Sequence, residues 1–245
     1  MDFFYKGIKV NYTVHGTGKH HILFLHGWGG STDSFLGLSN LFADRFVCIN
    51  LDFPPFGKSD KLNQVFDVRD YFEIVCGILN ANNINEVFVV AHSFGARVAI
   101  MLAAQTDKVK KLIITGGAGI KLRSIKKRLK ILKYKFLKRL VKIKLIDKNV
   151  LKNYGSSDYK QLDEKTQKTF VKIVNFNETN MLQYIRCETL LIWGEQDRET
   201  PMKAAKIFRK KIMGSALITF KDSGHFCYLE NFNKFYLISS NFFGG

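Results

Sequence analysis

The chain is poor in proline, cysteine and acidic residues. Only three prolines occur, which leaves little room for proline-rich linkers, and no internal repeat is evident. Cys48, Cys76, Cys187 and Cys227 lie far apart, without the spacing of a disulfide framework, and Cys48 falls in an apolar run that reads as a core strand. That pattern fits a reducing cytoplasm. No apolar stretch reaches the ~18–20 residues of a membrane span. The N-terminus carries no charged region followed by an apolar core, so no signal peptide is expected. HExxH, CxxC and EF-hand patterns are missing, and the six histidines do not cluster at ligand spacing. Neither a metal nor an organic cofactor is therefore expected.

What is present suits one α/β domain carrying an inserted piece. A hydrophobic content of 46% supports a full core. The apolar runs 22–25, 46–50, 87–90, 111–115 and 189–193 are continuous rather than alternating. Such runs mark strands buried on both faces, as in a parallel sheet between helices. Residues 7–14 alternate instead and read as an antiparallel edge strand. Helical stretches fall at about residues 35–43, 68–79, 96–105, 204–211 and 231–243.

The most informative segment is Ala91-His92-Ser93-Phe94-Gly95, between the strand-like Val87–Val90 and the helix-forming Ala96–Leu102. It puts a serine on a sharp strand-to-helix turn, flanked two positions away on each side by small residues. A nucleophilic hydroxyl must stand clear of the sheet, and the crowded turn tolerates only small neighbours. The helix that follows aims its first free N–H groups at the same point. Such a nucleophile needs a base, an orienting acid and a second oxyanion donor. His26-Gly27-Trp28-Gly29-Gly30, after the first buried strand, is a glycine-rich loop able to present a backbone N–H. Downstream strands open into Gly194-Glu195-Gln196-Asp197 and Asp222-Ser223-Gly224-His225. Three carboxylates are thus available, and Asp197 has the best spacing from its strand end. Gly116-Gly117-Ala118-Gly119 lacks the Lys-Ser/Thr of a phosphate-binding loop and reads as a crowded strand end.

At these residues the chain resembles the α/β-hydrolase superfamily, whose order of nucleophile, acid and base is Ser93, Asp197, His225 here. The resemblance covers nearly the whole chain, residues about 120–185 being the least constrained. It implies an α/β-hydrolase fold, with a mostly parallel central sheet flanked by helices and a helical cap insertion. Residues 1–119 and 186–245 would form the core and 120–185 the cap. Ser93 would be the nucleophile, His225 the general base and Asp197 its orienting acid, with the backbone N–H groups of Trp28 and Phe94 forming the oxyanion hole. Residues 52–59 (DFPPFGKS) are a further family-like stretch. Two departures stand out: Ala91 replaces the usual glycine of the elbow, and Pro55 sits where glycine is usual. A serine at the elbow argues against dehalogenase and epoxide hydrolase relatives, which place an aspartate there. The expected activity is hydrolysis of an ester or related acyl bond of a small molecule, without metal or cofactor. C–C bond hydrolases, perhydrolases, thioesterases and acyltransferases share the same three residues.

The charge of +17 is unevenly spread. Residues 121–152 hold fourteen lysines and arginines against one acid, Asp147. Leu122, Ile125, Leu129, Leu132, Phe136, Leu140 and Ile143 recur there at helical spacing. The segment reads as a basic helical lid, either merely solvated or able to attract an anionic substrate, carrier or membrane surface. It lacks the interleaved aromatics of a specific nucleic-acid binder.

Overall fold

The computed structural model describes residues 1–122, 139, 141, 147 and 161–244. Eight strands form one sheet in the order β1-β2-β4-β3-β5-β6-β7-β8. They are β1 (Asp2–Tyr5), β2 (Ile8–His15), β3 (His20–Leu25), β4 (Phe46–Leu51), β5 (Val87–His92), β6 (Val109–Thr115), β7 (Glu188–Gly194) and β8 (Ala216–Phe220). From β4 to β8 every pairing is parallel. β2 runs antiparallel to β4, as its alternation predicts, but it is not the edge. Asp2–Tyr5 pairs outside it, its exposure alternating in the same way over only four residues.

Helices cover both faces of the sheet. They are α1 (Leu36–Phe42), α2 (Val68–Ala81), α3 (Phe94–Gln105), α4 (Glu164–Asn175), α5 (Met202–Lys211), α6 (Cys227–Glu230) and α7 (Phe232–Phe243). Leu23, Leu25, Val89, Ala91, Leu112, Ile114, Leu191 and Trp193 point to one face and pack with α2, α3 and α5. Ile22, Phe24, Val90, Ile113, Leu190 and Ile192 point to the other and pack with α1 and α7. Successive side chains of one strand therefore enter two different cores, which is why these runs are continuously apolar.

α3 is buried on all sides, from Phe94 through Ala103. Because the chain crosses from β4 over β3 to β5, the strand order reverses between β3 and β5. In open α/β sheets the crevice beyond the carboxyl ends of the strands, at this switch point, is where ligands sit. The proposed cap, 120–185, is described only in part. α4 packs Thr169 onto the segment before α2, its hydroxyl accepting from the Phe66 N–H at 2.9 Å. The apolar stripe beyond Leu122 lies outside the described residues.

Candidate active site

Ser93 follows β5 and caps α3 with φ 50° and ψ −110°, a conformation that an L-residue holds only when its surroundings impose it. Three backbone hydrogen bonds impose it. The Ser93 N–H donates to Thr115 O at 3.2 Å, while its carbonyl accepts from Ala96 N and Ala118 N. A side chain at Gly95 would drive a Cβ to 2.2 Å from Leu25 O, so the position two beyond the serine admits glycine alone. Ala91, by contrast, lies fully buried within β5, its methyl part of the core that packs against α3.

The structure brings Ser93, His225 and Asp197 together from the carboxyl ends of β5, β8 and β7. His225 Nε2 stands 2.9 Å from Ser93 Oγ, and its Nδ1 stands 2.9 Å from Asp197 Oδ2. An ionised carboxylate only accepts, so Nδ1 carries the proton and Nε2 is left to accept from the serine hydroxyl. The Asp197 side chain is fully buried. Burial alone would raise its pKa, but hydrogen bonds from His225, the Thr200 hydroxyl and the Thr200 amide outweigh it and hold the carboxyl below the usual range. The competing carboxylates are engaged elsewhere. Glu195 accepts from Thr219 Oγ1 at 2.8 Å and Asp222 from Gln196 Nε2 at 3.1 Å, both exposed.

The glycine-rich loop closes over the serine. Gly30 N–H donates to Gly27 O at 3.0 Å, making a tight turn with Trp28 and Gly29 at its centre. Gly29 takes φ +82°, the left-handed value such a turn requires at its third position. His26 fixes the loop from beneath: its Nε2 accepts the Phe53 N–H at 2.9 Å, so Nδ1–H donates to Gly27 O at 2.7 Å. Burial pushes the His26 pKa down to about 4, and the ring stays neutral. The opposite wall is held by Asp52, whose buried carboxylate accepts from Thr32 N, Lys58 N and Asn11 Nδ2. Asp52 and His26 thus tie residues 26–32 to residues 52–58. Within the latter, the Pro54–Pro55 bond is cis.

Phe94 opens α3, and its N–H is among the helix's first four, which have no acceptor inside the helix. Trp28 packs edge to face on Phe94, with ring centroids 5.5 Å apart, and also contacts Phe56 and Phe170 of α4. An aromatic wall therefore rises beside Ser93. His92 reaches the other side, donating from Nε2 to the His225 carbonyl at 3.0 Å, its ring 4.7 Å from that of His225. Burial pushes its pKa down to about 3, so it adds no charge next to the base. The Gly116–Gly119 run is the crowded strand end expected of it, with Gly116 against the His225 ring.

Sequence reading missed three participants. Thr200 was hidden as a turn residue before Pro201, although an acid three positions before a hydroxyl residue is a readable turn signal. In the sequence Asp52 stands out only as part of a family-like stretch. The buried pair of Arg97 Nη1 and Glu178 Oε2, 3.1 Å apart, joins α3 to the segment before β7 and has no local signal.

Comparison with known proteins agrees with this architecture. A family model described as the alpha/beta hydrolase fold matches residues 20–141. An uncharacterized hydrolase of Bacillus subtilis, YugF, is 26% identical over 89% of this chain and 88% of its own length. A 2-hydroxy-6-oxononadienedioate/2-hydroxy-6-oxononatrienedioate hydrolase of Escherichia coli is 24% identical over 97% of this chain and 91% of its own. Among solved structures, the enol-lactonase of Burkholderia xenovorans LB400 superposes with a TM-score of 0.79 at 15% identity, covering 100% of both chains. The chain belongs to the α/β-hydrolase superfamily. It is a hydrolase.

Proposed function

We propose that the protein is a serine hydrolase that cleaves an ester or related acyl bond of a small molecule through an acyl-enzyme. The observation that carries the reading is the unbroken chain from Ser93 Oγ through His225 to Asp197, 2.9 Å at each link. Ser93 Oγ attacks the carbonyl carbon as its proton passes to His225 Nε2, and the Asp197 carboxylate stabilises the imidazolium that forms. The N–H groups of Trp28 and Phe94 receive the developing oxyanion, each worth ~10²–10³ in rate. Collapse expels the leaving group, which takes the proton from His225. Water, deprotonated by the same nitrogen, then releases the acid and restores Ser93. The side chains closing on the site, Trp28, Phe56 and Phe170, favour an apolar acyl group. Four free cysteines fit action in the cytoplasm.

Ser93→Ala abolishes turnover of short p-nitrophenyl esters and labelling by a fluorophosphonate probe. A folded wild-type protein that neither labels nor turns over any acyl substrate overturns the reading. C–C bond hydrolysis is the second reading, favoured by the likeness to the Escherichia coli hydrolase. A panel of esters, thioesters and vinylogous diketones assayed with one preparation separates the two.

A further inference from the structure

We propose that Thr200 is a positioning residue that sets the basicity of His225 by competing with it for one oxygen of Asp197. This rests on the serine-hydrolase reading above. Asp197 has four acceptor sites, and the structure fills all of them. Oδ1 accepts the N–H groups of Glu199 at 2.9 Å and Thr200 at 2.8 Å. Oδ2 accepts the Thr200 hydroxyl at 2.7 Å and His225 Nδ1 at 2.9 Å. Thr200 Oγ1 also lies 3.4 Å from His225 Nδ1, beside the very hydrogen bond that aims the imidazole.

The hydroxyl is itself held. The carbonyl of Thr200 accepts the indole N–H of buried Trp193 at 2.6 Å, fixing residue 200 to the end of β7. Two consequences follow from a shared oxygen. The carboxylate cannot swing, because both of its oxygens are tied to residues 199 and 200. Its charge is also spread over four donors, so its pull on the imidazolium is weaker than that of an unsaturated carboxylate. Among the described residues, the other titratable groups facing His225 are His92 on β5, which is neutral, and Cys227, buried beyond it. Glu230 reaches the loop from α6 by accepting the Gly224 N–H at 2.7 Å. None of these groups donates to Asp197 Oδ2, so the hydroxyl of Thr200 is the removable competitor.

The test compares Thr200→Val, which keeps the shape and removes the donor, with Thr200→Ser, which keeps the donor. In Thr200→Val the acid limb of the kcat/KM profile moves to higher pH, because an imidazolium facing a less saturated oxygen holds its proton longer. Its kcat falls about tenfold, because Oδ2 loses the bond that keeps the carboxylate from swinging, on the scale of one hydrogen bond to a charged group, and the low-field proton resonance of His225 Nδ1 shifts. Thr200→Ser restores all three. Thermal melting of each variant separates this from simple loss of packing. An unmoved acid limb in a folded Thr200→Val protein overturns the proposal, and so does a Thr200→Ser protein that shifts as far as Thr200→Val. Residual turnover in Ser93→Ala would instead sink the underlying hydrolase reading, an outcome that the Thr200 variants do not produce.

Discussion

Trp28 and Phe94, the two residues proposed to supply the oxyanion donors, hold each other edge to face at a centroid distance of 5.5 Å. One lies in the loop after β3 and the other at the start of α3, so their side chains couple two segments distant in sequence. Phe94 is anchored further by Phe53 and Tyr71, and Trp28 by Phe56 and Phe170. Trp28→Ala keeps its amide but frees the loop. It should lower kcat by ~10–100-fold, less than the ~10²–10³ expected on losing a donor outright. Fluorophosphonate labelling should slow in step. An unchanged kcat would show that the loop holds its place without this contact.

Asp197→Asn retains the shape of the site but leaves the imidazole without a charged partner. A loss of up to ~10⁴ in kcat is expected, as for other triads. Glu195→Gln and Asp222→Asn remove exposed carboxylates bound to Thr219 and Gln196, and should change kcat less than about twofold, as surface changes do. Steady-state rates of the three variants decide between the carboxylates. The reverse ranking would reassign the acid.

Two buried neutral histidines contribute to the pH dependence of stability. Burial lowers His26 to about 4 and His92 to about 3, against ~6.5 in the unfolded chain. Between those values the unfolded chain binds protons that the folded one refuses. The contribution of these histidines is therefore fully present above pH ~6.5 and is lost as pH drops, by up to ~1.4 kcal/mol per pH unit for each ring, levelling once the folded values are passed. Chemical denaturation from pH 8 to pH 4.5 measures the slope. His92→Asn should flatten it by about one proton, and a slope identical to wild type would contradict a neutral His92.

Arg97 and Glu178 lie at the neck of the proposed insertion. Gly119, where the chain leaves β6, accepts the Glu178 N–H at 2.9 Å, while Arg97 Nη1 binds both the Phe176 carbonyl and Glu178 Oε2. Burial pushes the Glu178 carboxyl up and lowers the Arg97 guanidinium, each drawn back by its partner. Removing one member strands the other, so Arg97→Met should cost ~3–5 kcal/mol, whereas the double change Arg97→Met with Glu178→Met should recover most of it. Denaturant unfolding of the single and double variants tests this. A double-variant loss equal to the sum of the two single losses would mean that the pair is not coupled.

These cases mark what could be read from sequence. Ser93, Asp197 and His225 were legible because each stands just past a continuous apolar strand, where the parallel sheet must deliver it to one edge. The parallel run of the central strands was legible for the same reason, while Asp2–Tyr5 is too short and too exposed to announce itself as the edge outside β2. Arg97 was not legible, since a charge in a helical stretch reads as a solvated face. Only the all-round burial of α3 makes it a core residue, and its partner lies 81 positions away. Asp52 acts through hydrogen bonds from backbone groups, which no side-chain pattern encodes, whereas Thr200 acts through its hydroxyl on Asp197, with only the acid-to-hydroxyl spacing of a turn to signal it.

The basic segment leads to a prediction drawn from sequence alone, since of residues 121–152 only Lys121, Leu122, Arg139, Val141 and Asp147 are among the described residues. It holds +13 of the chain's +17. If that charge draws an anionic acyl substrate or carrier, KM for that substrate should rise steeply with salt, because screening at physiological ionic strength acts over ~8 Å. Neutral esters supply the control, as their KM carries no such dependence. Replacing Lys126, Lys127, Arg128 and Lys130 with glutamine should raise KM for the anionic substrate while leaving neutral ester hydrolysis unchanged. Sedimentation with vesicles of anionic and neutral lipid, in low and high salt, separates attraction to a membrane surface from attraction to a soluble substrate. Flat KM values across the salt series, with no retention on anionic vesicles, would assign the lysines to solvation alone.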